Sequence, residues 1–177
     1  MKPIIWLGSV VIAWKVGVIP GAVFTKLRRQ FLQTKPFWKV FLLPAVAITI
    51  YFFLINSRAV EWPQFALPSL LWVLIINFTT GFVEEFTYRG VLYIWLLDLT
   101  DEATAFALVQ VLFVVAHIPT LYLNSPTFES GLVHAFFIVL IGAIHTGFFR
   151  WTRSLYASTV SHGIWNSLVH YLLVGVS

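Results

Sequence analysis

ALPSLLWVLIINFTTGFVEEFTYRGVLYIWLL, residues Ala66–Leu97, is an almost unbroken apolar run that carries two adjacent acids, Glu84 and Glu85, and an arginine, Arg89. An ionisable side chain at the middle of a membrane helix costs roughly 2.5–3.5 kcal/mol on insertion scales. The polar residues of this run therefore need partners. Other apolar stretches offer them: His117 stands in one, and His162 with Asn166 in another. Two acids, an arginine, two imidazoles and an amide on three separate apolar segments read as one buried polar site.

Working outward, composition sets the class. Of 177 residues, 59% are hydrophobic and 10% charged, with a mean hydropathy of +0.88. A soluble domain carries about 25% charged residues, so the chain is expected in lipid. Aromatics reach 18%, with eight Trp, as suits two water–lipid boundaries. The absence of cysteine excludes disulfides, thiolate metal sites and a cysteine nucleophile. The net charge of +4 is no nucleic-acid signature, because the basic residues cluster in loops between apolar runs. No internal repeat or low-complexity tract is visible.

The predicted architecture is all-α: a polytopic membrane helix bundle of about six transmembrane helices, forming one membrane domain over 1–177. The spans are Ile4–Phe24, Phe37–Ile55, Ala66–Leu97, Glu102–Ile118, Gly131–Phe149 and Leu155–Val174. A helix needs about 20 residues to cross a hydrocarbon core of ~30 Å. The first span is interrupted by Lys15, Pro20 and Gly21, and no convincing signal-peptide cleavage site follows it. The third is too long, since about 32 residues make ~48 Å of helix. It must tilt, break near Gly81 or Gly90, or run out along the surface. Basic residues favour the cytoplasmic side. Lys26, Arg28, Arg29, Lys35 and Lys39 place the loop 25–39 there, and Arg150 and Arg153 put the fifth connection on the same side. The opposite-side loops offer only Arg58 near their ends.

Depth and spacing support a shared site. Measured from the cytoplasmic ends of straight helices, Glu84 lies ~21 Å deep, His117 ~24 Å, His162 ~14 Å and Asn166 ~20 Å. Glu85 and Arg89 are four residues apart and can pair along one helix face. Glu84 lies about 100° round the helix, which frees it to face the bundle interior. Phe113 shares a face with His117, and His162 with Asn166.

At these residues the chain resembles a known family. Glu84-Glu85-Phe-Thr-Tyr-Arg89 has the form EExxxR, Phe113-Val-Val-Ala-His117 is FxxxH, and His162-Gly-Ile-Trp-Asn166 is HxxxN. In this order, on successive membrane segments, they look like the CPBP family of CAAX-processing and bacteriocin-processing intramembrane proteases, also called the Abi family. Gly90 and Ser154-Leu155 also look like that family. The resemblance covers about Phe82 to Val169, within a family-like core of about 66–174. It implies an intramembrane endopeptidase of the CAAX prenyl endopeptidase type. Glu84 and His117 would hold and activate a water, His162 and Asn166 would stabilise the oxyanion, and Glu85 and Arg89 would be a supporting ion pair. It further implies a membrane-anchored protein or peptide substrate; no nucleic-acid partner is expected, and the expected location is a bacterial plasma membrane. The chain is short for the family, leaving few extra helices or loops to shape a substrate site.

The chemistry is sound on the residues alone. Peptide hydrolysis needs a base for water and donors for the developing oxyanion; an imidazole and an amide supply donors. No cofactor is expected. The alternative is zinc held by Glu84, His117 and His162, although no close-spaced HExxH pair is present and all ligands would come from different helices. Other classes are a bacteriocin-immunity or binding protein, and a transporter using Glu84 and the histidines as a proton relay, for which no inverted symmetry is seen. His134 and His145 match no motif and read as packing or water-contact residues. Gln110 reads as a neighbour of the site or interhelical glue, Phe113 as packing beside His117, and Lys15 and His170 as interfacial.

Overall fold

The computed structural model describes residues 2–31 and 67–169. The second expected span, Phe37–Ile55, lies outside the described residues, as do Lys35, Lys39, Arg58, His170 and the end of the sixth span. Among the described residues every regular element is helical. Two helices among the described residues, Glu102–Leu123 and Phe128–Thr152, are long and apolar enough to cross a membrane by length and composition.

The first expected span is not one helix. Helix α1, Lys2–Lys15, and helix α2, Gly21–Phe31, replace it. At 14 residues, α1 is ~21 Å long and too short to cross the core. Gly17 ends it with φ +80°. There the Gly17 N–H donates to Trp14 O at 3.0 Å and the Val18 N–H to Ala13 O at 2.9 Å. This left-handed cap needs a residue without Cβ, and Pro20 then precedes the new start. Helix α2 is amphipathic: Val23 and Leu27 are buried while Lys26, Arg28 and Arg29 are exposed.

The third expected span forms one continuous rod of changing pitch. Helix α3 runs Leu67–Glu84, a π-helical segment covers Glu85–Tyr93, and helix α4 covers Ile94–Leu99. The chain does not break at Gly81; instead the winding widens at Glu85 and stays wide through Gly90. A Cβ on Gly90 would lie 2.8 Å from Leu27 Cδ1, so its absence lets α2 lie against the π segment. Such widened turns are rare and gather at functional sites.

Helix α5, Glu102–Asn124, starts at Asp101, whose side chain accepts from Ala103 N at 2.9 Å and Thr104 N at 3.0 Å. The helix carries Pro119 internally and ends six residues later than Ile118, the expected boundary. His117 is therefore inside a helix, not at its end. Helix α6, Phe128–Thr152, begins with a Thr127/Ser130 capping box and ends at Arg153 in the left-handed region. Helix α7, Leu155–Val169, is capped by Ser154 Oγ, which accepts from Ala157 N at 3.2 Å.

Helix α3 packs most extensively on α7, and α5 on α6; the π segment lies between them and touches α1, α2, α5 and α7. At one end, exposed ion pairs join Lys26 to Asp98 and Arg150 Nε to Glu102 Oε1 at 2.8 Å.

Candidate functional site

Close approach of α3 and α7 builds the site. A Cβ on Gly81 would sit 3.0 Å from the Gly163 backbone nitrogen, and one on Gly163 would sit 2.7 Å from the Phe78 ring. Small residues permit this backbone proximity, a common solution in membrane bundles. Glu84 follows Gly81 by almost one turn, and His162 immediately precedes Gly163. The two glycines thus press the acid toward the imidazole.

Glu84 is buried and lies between two histidines. Its Oε1 is 3.9 Å from His117 Nε2, and its Oε2 is 3.5 Å from His162 Nε2. On the first side, His117 Nδ1 is 2.7 Å from Phe113 O. A carbonyl only accepts, so Nδ1 carries the proton, and the neutral ring presents a lone pair at Nε2. On the second side, His162 Nδ1 is 2.7 Å from Glu85 Oε1. An ionised Glu85 accepts there, so His162 Nε2 becomes a donor only when the ring carries a second proton.

Glu85 is fully buried and holds three partners. Arg89 Nη1 lies 3.1 Å from its Oε1, the His162 ring shares that oxygen, and Ser158 Oγ donates to Oε2. Arg89 is tied in turn to α6: its Nε donates to Thr146 Oγ1 at 3.1 Å and its Nη2 to the Gly142 carbonyl at 2.8 Å. Gln110 Nε2 also donates to Thr146 Oγ1, at 2.8 Å. The Phe113 ring packs 4.4 Å from that of His117 and 4.7 Å below the Arg89 guanidinium carbon. From α1, Trp6 covers the group, with ring centroids 5.7 Å from His117 and 5.8 Å from Tyr88.

The structure brings together Glu84, His117, His162, Glu85 and Arg89, while Asn166 follows one turn after His162 and is half-buried. The sequence reads His145 as a packing or water-contact residue, and its ring packs on a site histidine. It is buried and stacks on His162, centroids 4.3 Å apart and planes 17° from parallel. His134 lies outside the group and meets Ser125 Oγ at 2.9 Å. Ser158 and Thr146 were not singled out in the sequence. The signal for Ser158 was its position four residues before His162; that for Thr146 was weaker, a hydroxyl one turn from Gly142.

Among the described residues, the compact group with metal-ligand spacing is Glu85, His145 and His162, with ligand atoms within 4.8 Å of one another. It includes neither Glu84 nor His117, so it differs from the alternative zinc set raised from the sequence. The donor chemistry does not fit a divalent cation. Glu85 already faces the Arg89 guanidinium at 3.1 Å and accepts from His162, and a cation there would be placed beside a buried positive charge.

The comparisons with known proteins fall on the same part of the chain. A family described as type II CAAX prenyl endopeptidase Rce1-like matches residues 65–168, which include every residue of the three motifs. No curated protein and no solved structure matches the chain.

Proposed function

We propose that this chain, which belongs to the Rce1-like type II CAAX prenyl endopeptidase family, is an intramembrane endopeptidase that hydrolyses a peptide bond of a membrane-anchored substrate. Membership in that family supports a membrane-embedded protease. The carboxylate-activated water, the oxyanion donors and the absence of a required metal are our reading of the site. The observation that carries it is the placement of Glu84 between His117 Nε2 and His162 Nε2.

At 3.9 Å, Glu84 Oε1 and His117 Nε2 are too far apart for a direct hydrogen bond, and in this reading one water bridges them. Both atoms can accept, so a water between them donates both protons and keeps its lone pairs for the scissile carbonyl. Glu84 takes the proton as the C–O bond forms and returns it to the leaving amine as the C–N bond breaks. When its ring carries a second proton, His162 offers Nε2–H to the oxyanion, and Asn166 offers its amide from the next turn. Arg89 holds Glu85 in place.

In this reading the protein is multi-pass. The end carrying Lys26, Asp98, Glu102 and Arg150 faces the cytoplasm with the basic segment 25–39, and cleavage falls near the membrane-anchored end of the substrate. The test is cleavage of a membrane-tethered reporter by purified wild type and Glu84→Gln, each with and without chelator. Wild-type cleavage that survives chelation and vanishes in Glu84→Gln is the expected result. Cleavage lost on chelation and restored by zinc would make the site a metallopeptidase.

A further inference from the structure

We propose that α6 positions the reacting side chains, His145 by stacking on the His162 ring and Thr146 by anchoring the Arg89 guanidinium. None of the three motifs includes either residue. The activity readout rests on the endopeptidase reading; the geometry does not.

Consider what fixes His162. Its bond from Nδ1 to Glu85 Oε1, 2.7 Å long, holds one edge of the ring. A second contact lies on the ring face, where His145 stacks with planes 17° from parallel at 4.3 Å. Together they aim Nε2 at Glu84 Oε2, 3.5 Å away. His145 is buried, and among the described residues its Nδ1 has no hydrogen-bond partner, while its flat face lies against the His162 ring.

Thr146 does the corresponding work for Arg89. Its hydroxyl accepts from Arg89 Nε and Gln110 Nε2 and donates to the Gly142 carbonyl at 2.9 Å, using both lone pairs and its proton. The same carbonyl accepts from Arg89 Nη2. Two bonds along its Nε/Nη2 edge fix the guanidinium plane, with Nη1 3.1 Å from Glu85 Oε1. Gly142 is required for this approach, because a Cβ there would meet Gln110 Oε1 at 2.6 Å and Phe113 Cδ1 at 3.0 Å. The path from α6 to the reacting imidazole is continuous: Thr146, Arg89, Glu85, His162.

The experiment compares H145F with H145L, and T146V with T146S, in the full-length protein in liposomes. Phenylalanine keeps a flat face; leucine fills space without one, and neither leaves a polar nitrogen in the buried site. H145F should hold kcat near wild type, whereas H145L should lower it on the order of 10²-fold with KM unchanged, the scale of a misplaced reacting group. T146V should lower kcat with KM unchanged, and T146S should restore it. Side-chain nitrogen spectra of ¹⁵N-histidine-labelled protein supply the second readout. The His162 signals of H145F should match wild type and those of H145L should shift. H145F and H145L behaving alike in both readouts, or losses confined to KM, would overturn the proposal. An inactive wild type would overturn the endopeptidase reading, while the histidine spectra would still decide the positioning role.

Discussion

Gly163→Ala should damage turnover more than stability, and the structure sets the scale. The added Cβ would stand 2.7 Å from Phe78 Cδ1 and Cγ, against ordinary carbon contacts of roughly 3.5–4.0 Å. The deficit is about 1 Å. The crowded atoms are at the base of the ring and cannot swing clear, and Gly81 already lies against Gly163 from the facing helix. Relief must come from parting α3 and α7, which moves His162 away from Glu84 and stretches their 3.5 Å contact. A displacement of ~1 Å in a reacting group costs on the order of 10²-fold in rate, whereas overpacking costs typically 1–3 kcal/mol of stability. Gly147→Ala is the control, because a Cβ there meets nothing within 4 Å and gains helix propensity of roughly 1 kcal/mol. Reporter cleavage in liposomes gives kcat and KM, and thermal melting in detergent gives stability. A Gly163→Ala protein with wild-type kcat, or a Gly147→Ala protein equally impaired, would refute the idea that glycine contact at this crossing sets the acid–imidazole distance.

Three further outcomes are expected. Glu84→Gln should abolish cleavage in a folded protein, whereas Glu85→Gln should lower the melting temperature by stranding Arg89, a loss of roughly 3–5 kcal/mol for one partner of a buried pair; melting and activity of both variants decide the assignment. Alanine at His162 or Asn166 should lower kcat by about 10²–10³ with little change in KM, and weakened binding at unchanged turnover would place them in a substrate groove instead. Asp101 is held below its usual carboxylate pKa by hydrogen bonds from the Thr104 side chain and backbone. Its stabilising effect on the start of α5 is therefore present above the ordinary aspartate range and lost as pH falls through its lowered value. The melting difference between Asp101→Ala and wild type should be full at neutral pH and close in strong acid; a pH-independent difference would contradict the cap.

What the sequence made legible was mostly local. Glu85 and Arg89 could be paired from spacing alone, and widening the helix to a π segment left them neighbours. The all-α class followed from composition. The division at Lys15, Gly17 and Pro20 was written in the chain as a basic last turn, a left-handed cap and a proline, but the surrounding apolar residues outweighed that punctuation. Pro119 misled in the opposite direction. It reads as a helix end, yet lipid-embedded helices tolerate proline because other groups satisfy the freed carbonyl. His145 and Thr146 were hidden for a different reason. Their partners are on other helices, and an isolated threonine in a helix ordinarily bonds its own preceding carbonyl, as Thr146 also does.

Trp6 has a consequence for how such a protein diversifies. The acids and imidazoles lie inside the family-matched region 65–168, but the indole that stands over His117 and Tyr88 comes from α1, outside it. Chemistry and enclosure are thus encoded in separable stretches of one gene. Under the endopeptidase reading, exchanging the first fifteen or so residues would leave Glu84 and the two imidazoles untouched and give them a new ceiling, so that enclosure could drift while the chemistry beneath it stayed constant.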